Sequence, residues 1–539
     1  MKTKILCFTL LVEKSPQALP LGAACIASAL KNDVLTKDLC DVLLRSFSLE
    51  DEDFSKVKNG SDFQKGSFFA EKILKILDRA QDSIVCFSVF VWNRPILEEI
   101  SKILKSHGII TVAGGPEITA RPEAFANFDY KIAGEGENNV PSLIYKIVTK
   151  KSPENRSAGL PDLNKISSPY LDGTLDVNEF GGALWELARG CPFKCSYCYE
   201  SKGEKTVRLF PMERIKKELD LFAQKKVPQV FVLDPTYNAD KKRAIEILNL
   251  IAQKTPDTFY YFEARAEFID REMAKAFTKI PCAIQIGLQT ANEEVAKAVH
   301  RPFNRKIFVK NINYLNQSGA IFGLDLIYGL PLDTLKSFKE SVDFATSLYP
   351  NNLEIFCLSV LPGTDLYDRS EELKLTFQSE PPYHVIHTDR FSVQDLETAR
   401  KIAQGCSVFY NAGRAVPWFN TICKAAKIKA NQFFLQFYDW LTKEKQTDCD
   451  FCCKMKQEEV ENLQLEFIKN LFYQKNIERL FKAASDIIIF NGAVSRKTDT
   501  GKDQFIKLNY PVDYVDSEYS LNLEFFVQNV KEKPGKLKI

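Results

Sequence analysis

LWELARGCPFKCSYCYE, residues 184–200, joins a short apolar run to a loop with cysteines at 191, 195 and 198. The apolar run reads as a strand, Leu184–Ala188, and the loop leaves its C-terminal end. Spacings of four and three let one compact loop turn all three sulfurs toward one metal centre. Soft thiolates suit a cubane iron–sulfur cluster, and a set of three leaves one iron open. A structural zinc normally takes a fourth protein ligand. No histidine stands near, since the chain has only His107, His300, His384 and His387. Zinc and three buried thiols are the competing readings.

Downstream, strands are expected at Gln229–Leu233, Phe259–Ala264, Ala283–Leu288, Phe322–Ile327 and Leu353–Ser359, with helical stretches such as Met212–Gln224 and Leu335–Leu348 between them. With Leu184–Ala188 this makes six βα units, the pattern of a (β/α) barrel or a large part of one, over 181–385. Upstream, Lys4–Leu11, Ser83–Val91, Ile109–Ala113 and Tyr130–Ala133 read as strands and Leu21–Leu30 as a helix. Glycines follow the last two strands, Gly114-Gly115 and Gly134, which points to a doubly wound parallel sheet over 1–150 with its ligand beyond the strand ends. Residues 151–180, with Pro153, Pro161 and Pro169, read as a linker. Residues 386–539 read as a mostly helical α+β domain, helical at Asn431–Trp440 and Val460–Gln474, strand-like at Asp486–Phe490 and Leu521–Val527, with a frayed tail, KEKPGKLKI.

The chain has 539 residues, 72 Lys plus Arg against 70 Asp plus Glu, and a formal net charge of +2. That balance argues against nucleic acid as a partner. There is no apolar window of about 18 residues, so no membrane span is expected. The start lacks a signal-peptide pattern, so the expectation is a cytoplasmic protein whose 14 cysteines stay reduced.

The three cysteines, with Tyr197 before the last, resemble the cluster loop of the radical S-adenosylmethionine (radical SAM) superfamily. The resemblance continues through LDPTYN at 233–238, EARAE at 263–267, IGLQTANEEVAKAVHR at 286–301, DLIYGLP at 325–331 and VLPGT at 360–364. It implies a partial barrel with a [4Fe-4S] cluster on Cys191, Cys195 and Cys198. Its open iron takes the amino and carboxylate groups of S-adenosylmethionine, and one electron then yields methionine and a 5′-deoxyadenosyl radical. By position, Tyr197 lies against the adenine, Arg265 and Gln289 are candidates for the carboxylate and ribose, and Asp234 and Asn238 for the amino end. Asp234 as a turn cap, and Arg265 paired with Glu263 or Glu267, are the structural alternatives.

PLGAACIASAL at 20–30, CFSVFVWN at 86–93, AGGPEITARPE at 113–123 and IAGEGE at 132–137 are similar to the Rossmann-like cobalamin-binding domain often fused to such barrels. The resemblance implies that Ser88, Gly114 and Gly115 line the nucleotide tail. Leu19 stands where the Asp-x-His-x-x-Gly signature has its histidine, three residues before Gly22, so cobalt is expected without a histidine below it. The implied activity is methyl transfer through cobalamin to an unactivated carbon or a phosphinate phosphorus of a small-molecule or peptide substrate, with a reductase or flavodoxin-type electron donor. Rivals are a non-methylating radical rearrangement, cyclisation or oxidation, a methylthiotransferase with a second cluster drawing on Cys7, Cys40 and Cys86, and a non-enzymatic iron–sulfur protein. Cys449, Cys452 and Cys453 form a C-x-x-C-C group read as packing thiols or a further metal site. His384 and His387 are candidates for the active-site mouth. Residues 386–539 resemble an uncharacterised domain of one subgroup and are expected to cap the barrel.

Overall fold

The computed structural model describes residues 2–55, 57–78, 82–153, 159–201 and 206–539. The N-terminal unit contains β1 (Thr3–Leu11), α1 (Leu21–Asn32), β2 (Cys40–Ser48), α2 (Asp62–Ile76), β3 (Ile84–Ser88), α3 (Arg94–Ser106), β4 (Ile110–Gly114), β5 (Tyr130–Lys131) and α4 (Asn139–Thr149). Among the described residues β1–β5 form one parallel sheet in the order β2-β1-β3-β4-β5. β1 is buried on both faces. Ile5 and Cys7 pack with Ala23 and Ala27 of α1, while Leu6, Phe8 and Leu10 pack with Phe69 of α2 and Leu97 of α3. Its continuous apolar run follows from that double cover. The strand order reverses between β1 and β3, and open α/β sheets bind ligands at that switch point.

The second unit is β6 (Ala183–Trp185), α5 (Met212–Lys225), β7 (Gln229–Val232), α6 (Lys241–Lys254), β8 (Phe259–Ala264), α7 (Arg271–Phe277), β9 (Cys282–Gln289), α8 (Arg305–Ser318), β10 (Ile321–Tyr328), α9 (Leu335–Thr346) and β11 (Asn352–Cys357). Its six strands are parallel and stand in chain order from β6 to β11. This is the expected partial barrel, with edges at β6 and β11. Burial alternates along each strand. On β8, Tyr260, Phe262 and Ala264 face the helices, whereas Tyr261 and Glu263 open to the lumen. On β9, Ile284, Ile286 and Leu288 are buried and Gln285, Gly287 and Gln289 line the inside. Trp185 is buried and donates from Nε1 to Glu218 at 2.8 Å. Glu218 in turn takes Ser168 Oγ at 2.6 Å and pairs with Arg214 at 2.9 Å.

Three expectations change. Residues 154–158 of the linker lie outside the described residues, but the rest is no loose tether. Tyr170, Leu175, Val177 and Phe180 are buried in the barrel core, and Tyr170 donates to Leu184 O at 2.6 Å. The strand-like runs in the last domain are helical. Asp486–Phe490 lies inside α13 (Phe481–Thr500) and Leu521–Val527 leads into α14 (Leu523–Asn529), after α10 (Val393–Cys406), α11 (Ala430–Lys443) and α12 (Gln457–Gln474). Asp486–Phe490 is a short apolar run that is almost wholly buried, and such a run has no period to separate strand from helix. The tail is not frayed: β13 (Gly535–Lys538) pairs antiparallel with β12 (Phe505–Leu508).

Candidate functional site

The three-cysteine loop leaves β6 and is fixed by backbone bonds. Ser196 N–H donates to Val299 O at 3.1 Å, and Leu366 N–H to Ser196 O at 2.8 Å. Cys195 is buried, while Cys191 and Cys198 are partly exposed. Burial pushes the Cys198 thiol up to about 11, and the charges of Cys195 and Cys191 push the same way, so the three sulfurs share one region. Among the described residues no three His, Cys, Asp or Glu side chains converge closely enough to hold a single ion. Thiolates that each ligate a different iron of a cubane need no such convergence.

The side chains expected beside this loop divide into two groups. Asp234 and Asn238 serve the backbone. One Asp234 oxygen accepts from Leu187 and Ala188 N–H at 2.9 and 3.0 Å, which orients the chain entering the loop. Asn238 donates to Arg265 O at 2.9 Å and accepts from Arg265 N–H at 3.0 Å. Arg265 is engaged elsewhere: its guanidinium pairs with Glu267 at 2.8 Å and stacks 3.8 Å from the Phe193 ring centre. Gln289, by contrast, is poised for a ligand. It has φ +67°, and its side-chain oxygen is buried without a hydrogen-bond partner. Tyr197 is packed against Cys195.

The cation facing the thiols is Arg301, absent from the sequence-based set. Its Nη1 lies 3.7 Å from Cys195 Sγ and its Nη2 donates to Gly287 O at 2.5 Å. Two lumen carboxylates were also missed. Burial, then Asp325 and Glu200, raises Glu263 to about 7. Burial raises Asp325 to about 6, although Gln285 donates to it at 2.6 Å. All three residues sit in quoted motifs, Arg301 at the end of one and Asp325 and Glu263 at the start of two others.

Leu19, Gly22, Ser88, Gly114 and Gly115 all line one cavity of about 1110 Å³. It opens at the β1/β3 switch point and continues to the barrel mouth, where Leu184, Arg189 and Tyr199 form its far wall. Arg189 clamps the two units, reaching Glu135 at 2.7 Å, Glu137 at 2.8 Å and Glu186 at 2.9 Å. Tyr199 donates to Pro116 O at 3.1 Å, so the end of the cysteine loop touches the Gly114-Gly115-Pro116 turn. A Cβ at Gly134 would meet nothing within 4 Å, and one at Gly22 would first meet Ser88 Oγ at 3.9 Å. The lining contains no histidine. The volume and the lining, rich in apolar residues and without histidine, would suit a large planar group.

Cys7 and Cys86 face each other across β1 and β3, and Cys40 pairs with Thr3. Cys449 and Cys452 are buried, and Cys453 Sγ lies 3.3 Å from Ser407 Oγ.

Residues 185–345 match the radical SAM superfamily, and residues 371–524 match a family described as a protein of unknown function (DUF4080). The chain is 26% identical over 370 residues to the cobalamin-dependent radical SAM methyltransferase TokK of Streptomyces tokunonensis, covering 60% of this chain and 53% of TokK. It is also 26% identical over 347 residues to the 2-(S-pantetheinyl)-carbapenam-3-carboxylate methyltransferase of Streptantibioticus cattleyicolor, covering 56% and 50%. The chain thus spans about half the length of these curated relatives. In fold it is similar to the cobalamin-dependent S-adenosylmethionine radical enzyme OxsB with aqua-cobalamin bound, with TM-score 0.57, 14% identity, and 98% and 85% of the two chains covered. It is likewise similar to the radical S-adenosylmethionine methyltransferase TsrM of Kitasatospora setae, with TM-score 0.53, 14% identity, and 74% and 85% covered. Residues 185–345 thus form a radical S-adenosylmethionine domain, and the chain around it is similar in sequence and in fold to enzymes described as cobalamin-dependent radical S-adenosylmethionine proteins.

Proposed function

We propose that this protein is a cobalamin-dependent radical S-adenosylmethionine methyltransferase that places a methyl group on an unactivated carbon of a small-molecule or peptide substrate. The observation that carries the reading is the 1110 Å³ cavity, which runs from the β1/β3 switch point to the wall formed by the end of the cysteine loop. A [4Fe-4S] cluster with S-adenosylmethionine on the cysteine loop beside this cavity would supply a hydrogen-abstracting radical, and cobalamin in the cavity would supply the methyl group.

The chain's own residues then have distinct tasks. Cys191, Cys195 and Cys198 hold the cluster. Arg301, buried beside Cys195, presents the rest of its planar fork to the carboxylate of S-adenosylmethionine. Gln289 Oε1 gains its missing donor from a ribose hydroxyl, and Tyr197 stacks on the adenine. Glu263 and Asp325 form the polar lumen wall below. Leu19, Gly22, Ser88, Gly114 and Gly115 cradle the corrin and its tail. The Arg189 clamp keeps the two units closed so that water stays out.

Arg301→Lys keeps the charge but loses the fork. The KM for S-adenosylmethionine should rise by about tenfold or more, with cluster absorbance retained. An unchanged KM would remove Arg301 from the carboxylate site.

The founding test is anaerobic reconstitution with iron, sulfide and hydroxocobalamin. About four irons and one corrin per chain are expected, with 5′-deoxyadenosine formed from S-adenosylmethionine under dithionite. A protein that takes up cluster but no corrin sinks the cobalamin part and favours a non-methylating radical reaction. With no histidine in the cavity lining, the EPR spectrum of the cob(II)alamin form should lack superhyperfine splitting from a protein nitrogen. Such splitting would refute the assignment of Leu19 to the lower face.

A further inference from the structure

The turn that follows β4 is bonded to segments that follow both edge strands of the barrel sheet. Beyond β6, Tyr199 donates to Pro116 O at 3.1 Å. Beyond β11, Val360 N–H donates at 2.9 Å to the carbonyl of Tyr383, which is wholly buried. Tyr383 Oη donates in turn to Glu117 at 2.7 Å, and Glu117 is a buried residue of the short helix Pro116–Ala120. Arg94, the first residue of α3, completes the group. Its Nη1 donates to Tyr383 Oη at 2.8 Å and lies 3.5 Å from Glu117. Its other partners are Glu98 at 3.0 Å, Glu380 at 3.4 Å and the face of Phe125.

We propose that Tyr383, with Arg94 and Glu117, is a positioning device that fixes the Gly114-Gly115-Pro116 wall of the interdomain cavity relative to the barrel. The proposal rests on the reading of that cavity as the corrin site and adds positioning residues to it. None of the three side chains lines the cavity, so they act through the turn. A carboxylate and a guanidinium buried at such a contact add little stability that apolar groups of the same volume would not give. What their directional bonds add is a set distance and angle. Transfer between two bound groups depends on both, since a displacement of about 1 Å can cost about 100-fold in rate. Tyr383 also holds φ +58°, a conformation rare for a bulky side chain, so its surroundings and not its own preference keep it there. It belongs to the region matched by the DUF4080 family. The appended domain thus reaches the wall of the cofactor cavity through one hydroxyl.

The test compares Tyr383→Phe with Tyr410→Phe. Each removes one hydroxyl from a wholly buried ring, and Tyr410 donates at 2.6 Å to Pro350 O, away from the turn. Both variants should therefore melt below the wild type, but only Tyr383→Phe should disturb the geometry. In unloaded chain, hydrogen–deuterium exchange at residues 116–121 should quicken by about tenfold in Tyr383→Phe and stay unchanged in Tyr410→Phe. In chain loaded with cluster and cobalamin, EPR reads the magnetic coupling between the reduced cluster and cob(II)alamin. The wild type and Tyr410→Phe should give the same single coupling, and Tyr383→Phe a broadened or shifted one with iron and corrin content kept. Unchanged coupling in Tyr383→Phe overturns the proposal even if exchange quickens, because the bonds would then be packing alone. An equal change in Tyr410→Phe overturns it as well. Iron and corrin are counted first, and failure of the wild type to load either counts against the proposed function. The unloaded chain then decides the matter, and unchanged exchange at 116–121 in Tyr383→Phe overturns the proposal.

Discussion

Cys195→Ala is expected to abolish the iron–sulfur absorbance and to lower 5′-deoxyadenosine formation by far more than about 100-fold, since outer-sphere partners of a metal alone are worth about 10–100-fold. The loop itself should survive. Its neighbour Ser196 is held on both sides by backbone bonds, from its own N–H to Val299 O and from Leu366 N–H to its carbonyl. The side chain removed is small and buried against Arg301, so the loss falls on the ligand set and leaves a guanidinium without its sulfur. Two thiolates cannot hold a cubane that needs three protein ligands and an open corner. Iron quantification, visible absorbance and product analysis of anaerobically reconstituted variant protein check this together. Wild-type iron content with undiminished product would mean that the loop does not carry the cluster.

Gly115→Val should separate the two cofactors. Gly115 has φ +103°, a region that L side chains rarely occupy, and an added Cβ would stand 2.6 Å from Val89 O and 2.9 Å from Val89 N. Those are backbone atoms that cannot swing away. Val89 N–H is already bonded to Gly114 O at 2.8 Å, so the turn cannot relax without breaking that bond. Strain of about 1–3 kcal/mol in this nearly glycine-only conformation and overpacking of about 1–3 kcal/mol together predict a destabilisation of about 3 kcal/mol or more. The displaced turn lines the interdomain cavity and carries the carbonyl of Pro116 that Tyr199 holds. Corrin uptake should therefore fall by about tenfold or more while iron content is kept. Gly319→Ala is the control. It too has positive φ, but a Cβ there meets nothing within 4 Å, so it should lose only about 1 kcal/mol and load corrin normally. Thermal melts and corrin absorbance read both. Normal corrin uptake by Gly115→Val would move the cofactor out of this cavity.

The two α/β units were legible because their signals are local. Alternation, glycines at strand ends and helical stretches of adequate length mark the barrel strands close to their places: Phe259–Ala264 is found as read, and β9 and β10 differ from the reading by one residue at each end. The C-terminal domain was less legible. Ile487 and Ile488 are buried in a helix whose Asp486 accepts backbone N–H groups from Asn509 and Tyr510 at 2.6 and 2.8 Å. A buried carboxylate tied to a residue more than twenty positions away leaves no periodic trace. β2 and α2 were not read at all, because β2 is an edge strand with mixed burial.

The amino-acid sequence by itself determined the three-sulfur loop, the order of the barrel strands and the glycine turns of the first sheet, since spacing, alternation and backbone freedom act within a few residues. Only the tertiary structure decided which side chains face one another. Arg301 reaches Cys195 across 106 positions, Asp234 and Asn238 turn to the backbone, and segment 384–400 closes the far edge of the barrel. Such pairings depend on register and crossover between distant elements, and local pattern carries no information about either.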